Sequence, residues 1–364
     1  MPAAARGAEL TAAGPAAPAA AFDTARAAVF AVGIGAPVAA CLALGGPAVA
    51  LFAGVGALNA LITDPRRRMS VRLIGIAFAM SAVLLVALAA EGLRPHPDVA
   101  LALAVVLAYP AGLVPTAFPY LAMVAKLLPL AMIVVATGVF PSGHVLAGFI
   151  TGTLFAAAAT MVEAALRKVQ PYTYPLHELV EVWRGQRNSV AYAIAFTGAV
   201  ALALLGAHAL SATHPMWAVV AALFVMRPDY AGSIRRIGER IAGTLAGVAV
   251  AWLIVHGVAS AWPLVAIATA AATLMPWALA RSLFAGTLAG TVFLLVLFDV
   301  GLIAQGGDRA LVLARFWDTL IGSAAVVIAL GALHLWRRRH PAPESDERDA
   351  DPIEPLEGEP GGHV

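Results

Sequence analysis

HPMWAVVAALFVMRPDYAGSIRRIGERIAGTLAG, residues 214–247, is the stretch whose reading decides the fold. Its first part, 215–226, carries no charge, whereas the next fourteen residues hold Arg227, Asp229, Arg235, Arg236, Glu239 and Arg240. An uncharged run then continues through Val255. Apolar run, charged hinge and second apolar run make the pattern of a chain that crosses a bilayer, turns and crosses again. Lipid offers the backbone no hydrogen-bond partner, and a helix satisfies it internally. On a helix, Arg236, Arg240, Gly243 and Gly247 fall on one stripe, with two cations leading into a small-residue face that can pack closely on a neighbour.

The rest of the chain repeats the pattern. Of its 364 residues 61% are hydrophobic and 12% charged, with a mean hydropathy of +0.86, which is too apolar for a soluble core and predicts an integral membrane protein. The net charge of +2 is small, and the cations sit beside apolar runs as topology signals, with nothing that points to nucleic acid. The single cysteine, Cys41, lies inside an apolar run and reads as inert packing, which excludes a disulfide framework. The histidines show no metal spacing and no Walker motif occurs, so no metal or cofactor is expected and any transport is driven by a gradient.

Residues 1–24, dominated by Ala, Pro and Gly, predict a disordered tail without a cleaved signal peptide. A first transmembrane repeat is expected over 25–165, with runs at 27–44, 47–63, a third ending at 90, 99–114, a fifth ending near 139, and 145–165. Helix boundaries between 110 and 129 stay open. A polar connector over 166–189 contains an amphipathic stretch, 176–187, with Leu176, Leu179, Val180 and Trp183 on one side, and is expected at the membrane surface. A second repeat is expected over 190–336, with runs at 190–210, 215–226, 237–255, 262–280, 282–298 and 310–336. The tail, 337–364, opens on Arg337, Arg338 and Arg339 and carries eight acidic residues between Glu344 and Glu359, which predicts disorder.

Assigning both termini to the cytoplasm puts Arg66, Arg67, Arg68 and Arg72, then Arg167, Lys168, Arg184 and Arg187, then the hinge arginines, Arg281 and Arg337 to Arg339 on the inner side. The outer loops hold Arg94 and Arg309, with Arg315 just inside the last run, as positive-inside topology requires. The halves also recur: Arg26, Pro47, Asp64 and Arg72-Leu-Ile-Gly75 return in order as Arg187, Pro215, Asp229 and Arg240-Ile-Ala-Gly243. The expectation is an all-α polytopic protein of about twelve transmembrane helices, arranged as two parallel six-helix repeats in a bacterial inner membrane.

Several charges are candidates for chemistry. The run before the hinge is twelve residues, about 18 Å at helical rise, which falls short of a bilayer core. Its helix must thin the bilayer or draw its polar end inward, so Arg227, Asp229 and Arg240 either line the cytoplasmic mouth of a pathway or form a structural hinge. Arg66 to Arg68, Arg235 and Arg236 read as snorkelling anchors. Arg315 and Asp318 lie three apart, on one helix face, and read as a self-neutralised pair or as a gate and proton-coupling pair. Lys126, inside a long run, snorkels or offers its charge to an anionic substrate. Asp64 and Arg72 join the candidate pathway as counterparts of Asp229 and Arg240.

Pro141-Ser142-Gly143-His144 is similar to the central block of membrane phosphatases of the phosphatidic acid type, but Ala87 stands where their lysine precedes Arg94-Pro95, and no Ser-Arg follows residue 144. The motif is read as a break between helices and the chain as a non-enzyme.

Trp217-Ala218, Arg227-Pro228-Asp229 and Arg240-Ile241-Ala242-Gly243-Thr244 together resemble the membrane domain of the fusaric acid resistance and aromatic acid exporter family. Arg315, Asp318, Thr319 and Gly322 are similar to the Arg-x-x-Asp-Thr-x-x-Gly that opens that family's last helix. The resemblance covers roughly 185–336. It implies proton-driven export of aromatic or other weak organic acids across the inner membrane, and family members are often associated with periplasmic adaptor proteins. The partners expected are therefore a small organic anion, protons, the lipid bilayer and an adaptor, with homo-oligomerisation left open. The excess of arginine over carboxylate at the inner mouth fits the capture of a carboxylate from the cytoplasm. Larger exporters of this kind carry sizeable cytoplasmic domains, whereas the connector here is 24 residues. A channel-like or scaffold membrane protein, with the same repeats and no proton-coupling pair, is the alternative.

Overall fold

Apolar runs of about twenty residues, cut by Gly, Pro and short charged turns, leave the backbone no solution but helices where water is absent. The computed structural model describes residues 22–66, 68–138, 141–167, 175–210, 216–228, 230–302 and 309–340. Among these residues there are thirteen α-helices and no strand. The first half contains α1 (Thr24–Leu44), α2 (Pro47–Ile62), α3 (Met69–Gly92), α4 (Pro97–Leu113), α5 (Pro119–Ala136) and α6 (Ser142–Leu166). The connector contributes α7 (Pro175–Trp183). The second half contains α8 (Val190–Ala209), α9 (Met216–Val225), α10 (Tyr230–Gly257), α11 (Ala261–Arg281), α12 (Leu283–Leu302) and α13 (Arg309–Arg339).

The starts of these helices are written locally. The Asp23 carboxylate accepts the Arg26 N–H at 3.0 Å and opens α1, and the Ser189 hydroxyl accepts the Tyr192 N–H at 3.3 Å and opens α8. Proline stands in the first turn of α2, α4 and α5, where its missing N–H costs nothing. Gly46, at φ +88°, takes the left-handed conformation that lets α2 fold back on α1. Pro110 and Pro129 lie inside α4 and α5, so the break between these helices is the short segment 114–118.

Among the described residues nine helices are long and apolar enough to cross a membrane, and α2, α4 and α9 are shorter apolar helices. No residue of α2 or α9 is exposed, whereas α3 turns Leu73, Leu85 and Leu88 outward, as a lipid-facing helix does. The short run before the hinge, α9, is thus enclosed by other helices and not set against lipid. Because α9 is wrapped by protein, lipid thickness places no demand on its length. The hinge is also shorter than its charges suggest. Helix α10 begins at Tyr230, and Arg235 reaches Glu239 one turn on at 2.9 Å along its first turns.

Neighbouring helices alternate in direction. The lower ends of α1, α3 and α6 meet through Arg26, Arg72 and Glu163, while Arg94, at the far end of α3, donates to the Val135 carbonyl near the end of α5 at 3.2 Å. In the first half α2 packs on α1, α3 and α6; in the second α9 packs on α8, α10 and α13. Likewise α5 packs on α3 and α4, and α12 on α10 and α11. Between the halves, α1 lies on α11 and α4 on α8, while α2 lies on α12 and α5 on α9. Helices approach closely where glycines leave room. A Cβ on Gly152 of α6 would overlap the Ala53 carbonyl of α2, and one on Gly322 of α13 would overlap the Ala218 carbonyl of α9.

Candidate functional site

Two sets of buried charges occupy the halves, and they are built differently. In the first half, the Arg26 Nη1 donates to Asp64 Oδ2 at 2.7 Å and to Glu163 Oε2 at 3.0 Å, and its Nη2 donates to the Leu61 carbonyl at 2.9 Å. The Arg72 Nη1 donates to the same Glu163 oxygen at 2.7 Å and to the Thr160 carbonyl at 3.1 Å, and lies 3.4 Å from Asp64 Oδ2. All four side chains are buried. Two guanidinium groups thus face two carboxylates, and Asp64 also accepts the Arg66 N–H at 3.0 Å. At the outer rim of this network Arg167 pairs with Asp23 and lies 3.6 Å from Glu163 Oε1. The Arg167 guanidinium holds the Asp23 carboxyl below its ordinary pKa of 3.8. The network is closed on itself: two guanidinium groups balance two carboxylates and each has fixed acceptors, with Arg26 Nε left without a partner among the described residues, and such pairing is how buried ions become tolerable.

The second half carries the opposite arrangement. Arg240 of α10 and Arg315 and Asp318 of α13 are buried, at 7%, 2% and 1% exposure, and among the described residues neither arginine forms an ion pair. The Arg315 guanidinium lies 4.0 Å above the centre of the Trp217 ring on α9, a cation–π contact in place of a salt bridge. Arg315 and Asp318 therefore make no direct salt bridge, although their charges still act on each other across the helix turn they share. Arg240 Nε, Thr244 Oγ1, Arg315 Nε and Nη1, Asp318 Oδ2 and Ser323 Oγ all lack hydrogen-bond partners within the described chain. A buried unsatisfied group costs about 1–3 kcal/mol, more when charged, so six such atoms gathered on two adjacent helices make this seam the candidate site. Arg240 lies toward the hinge end of α10 and Arg315 toward the opposite end of the bundle, near enough for their charges to act on each other.

Beside this seam, between the halves, an apolar cavity of about 210 Å³ is lined by residues of α2, α3, α5, α6, α9 and α12. Asn59 is the polar side chain in its wall. Trp217 and Phe298 meet edge to face there at 5.4 Å, so one indole ring both walls the cavity and carries Arg315. At the hinge end Phe224 closes the lining. The Lys126 Nζ lies 5.6 Å from the Phe224 ring centre, and Arg236 donates to the Phe224 carbonyl at 3.3 Å. Arg227, expected near the midplane, is exposed at this end, and Lys126 feels the charges of both Arg236 and Arg227.

The sequence-derived candidates therefore separate. Arg240, Arg315 and Asp318 share the α10–α13 seam, Lys126 and Arg227 stand at the cavity's cationic end, and Asp64 and Arg72 belong to the closed network. Asp229 lies outside the described residues. Glu163 and Trp217's role as the seat of Arg315 were not singled out. Glu163 was legible as the one carboxylate in an otherwise uncharged run, and it needed that weight. His144 of the Pro-Ser-Gly-His block follows directly on the break before α6, where Pro141 is the N-cap.

Residues 199–329 match a family model described as fusaric acid resistance protein-like. This range contains Trp217, Arg240, Arg315 and Asp318 and stops short of the closed network of the first half. No curated protein and no solved structure matches the chain.

Proposed function

We propose, from the family match over residues 199–329, that this chain is a secondary transporter of the bacterial inner membrane that exports aromatic or other weak organic acids against protons, and is not an enzyme. The observation that carries the reading is the seam of Arg240 and Arg315, two buried cations that form no ion pair among the described residues, beside a cavity walled by the ring on which Arg315 sits. An organic acid has the complementary parts. Its carboxylate supplies the acceptors that the guanidinium groups lack, and an aromatic body fits an apolar space of this size, since a cavity of about 150 Å³ holds benzene.

Lys126, Arg227 and Arg236 at the hinge end draw anions from the cytoplasm. From there the two buried arginines offer successive positions across the membrane. Asp318, buried near Arg315 with an unpartnered oxygen, is the group whose protonation couples to anion movement. The packing supports two parallel six-helix repeats, because each pair of contacting helices in the first half has a counterpart seven labels on, and the contacts between halves exchange in the same way; the placement of arginines along the sequence supports cytoplasmic termini. Partners in this reading are a small organic anion, protons, lipid, a periplasmic adaptor and further copies of the chain.

The test is flux in proteoliposomes. Benzoate and larger aromatic carboxylates are followed with and without a pH gradient, comparing wild type with Arg240→Gln and Asp318→Asn. Gradient-dependent flux, reduced about tenfold or more in each variant as loss of a charge-assisted contact requires, is the expected result. Flux that ignores the gradient and survives Asp318→Asn would identify a channel. Absence of flux for every acid would overturn the transport reading.

A further inference from the structure

At the arginine-rich end of the bundle, where α1 of the first half lies on α11 of the second, a cavity of about 100 Å³ opens beside the closed network. It is bordered by Phe22 and Asp23 ahead of α1, Arg26 on it, Arg66 in the turn after α2, and Thr273 and Trp277 of α11. Its volume is several times what one water needs, and its wall mixes charge with aromatic surface.

Arg66 is held there by its backbone. It is the one described residue other than glycine with a positive φ, +52°, and the Asp64 carboxylate fixes that conformation by accepting the Arg66 N–H at 3.0 Å. The left-handed region is unfavourable for arginine, and such strain persists only where the surroundings impose it. Asp64 is itself anchored by Arg26 and Arg72, so the closed network dictates where Arg66 stands. On the α11 side, Trp277 meets Phe22 edge to face at 6.2 Å and carries Arg281, whose guanidinium lies 4.1 Å from the ring centre. Arg66 and Arg281 are both exposed, so a ligand can reach them. Charge here is positive. Arg26, Arg66, Arg72 and Arg167 face Asp23, Asp64 and Glu163, which leaves one positive charge over, and Arg281 adds a second.

The cavity lies where α1 begins and α11 ends, the level at which headgroups and interfacial aromatic rings meet a membrane helix. One turn deeper on α11 than Trp277, Leu274 is exposed as apolar surface for an acyl chain. We propose that this cavity binds the phosphate of an anionic phospholipid between Arg66 and Arg281, with the lipid's chains along α11 below Trp277. The lipid then bridges the two halves of the molecule at their α1–α11 seam. The proposal rests on the membrane fold and is independent of what the chain transports.

Binding is read on the full-length protein in a neutral detergent by native mass spectrometry, titrating phosphatidylglycerol, phosphatidylcholine or inorganic phosphate. Wild type is expected to bind phosphatidylglycerol about tenfold or more tightly than the zwitterionic phosphatidylcholine. Arg66→Gly deletes the guanidinium at a φ that glycine takes without strain, so the variant is expected to fold while its phosphatidylglycerol affinity falls about tenfold, the loss of one charge-assisted contact. Should it not fold, Arg281→Gln, at an exposed helix end, carries the same expectation. Arg184→Gln, an exposed arginine of α7 outside the cavity, is expected to keep wild-type affinity. Cavity variants that bind as tightly as wild type, an equal loss in Arg184→Gln, no preference over phosphatidylcholine, or inorganic phosphate bound as tightly as the lipid would each overturn the proposal.

Discussion

Glu163 is the only formally charged residue of α6, and both buried arginines of the first half lean on one of its oxygens. Removing one member of a buried ion network leaves the others uncompensated and costs about 3–5 kcal/mol. Glu163→Gln is therefore expected to lower the melting temperature of the detergent-solubilised protein markedly. An unchanged melting curve would mean that the network does not hold α1, α3 and α6 together. Asp23 makes a weaker claim at the same rim. Its folded-state pKa is depressed by Arg167, so its contribution is present at neutral pH and is lost as pH falls below the ordinary value of 3.8. The pair is nearly half exposed, which limits it to about 1 kcal/mol or less. Asp23→Asn should then melt slightly earlier than wild type at pH 7, with the gap closing in strong acid. A constant gap across that range would show that the helix cap, and not the charge pair, is what the substitution removes.

At the scale of helices, small residues decide which elements touch. Any side chain at Gly152 must push α6 off the Ala53 carbonyl, a clash with backbone that cannot rotate away, and such overpacking costs about 1–3 kcal/mol. Gly152→Ala and Gly322→Ala are expected to destabilise, whereas Gly198→Ala in α8, with nothing nearby, is expected to be neutral or mildly stabilising because alanine favours the helix. Thermal unfolding of the three variants checks the order; equal effects would mean that the close helix contacts are not in fact tight. The helices themselves were largely legible, because hydropathy and prolines mark them. Two things were not. That α9 is short because it is enclosed, and that α10 reaches back to Tyr230, both depend on what surrounds them.

For the whole molecule, the alternation of helices puts the charged ends on one side and short loops on the other. With Cys41→Ala as background, a single cysteine at Arg184 should react with an impermeant maleimide only from the cytoplasmic face, and one at Ser260 only from the other. Labelling of both from one face would overturn the topology. Composition, run lengths and arginine placement determined from the sequence alone that this is a polytopic helical membrane protein, since the bilayer acts on each segment locally and leaves its mark in each. The blocks around Arg240 and Arg315 lie on α10 and α13, where the unpartnered buried groups of the second half gather. Which charges are satisfied was decided only by tertiary structure. Arg72 and Arg240 sit in the same local motif, and what separates them lies on other helices: Arg72 meets Glu163 of α6, whereas Arg240 forms no ion pair among the described residues. Burial and pairing are properties of the neighbours that folding supplies, and no local pattern along the chain records them.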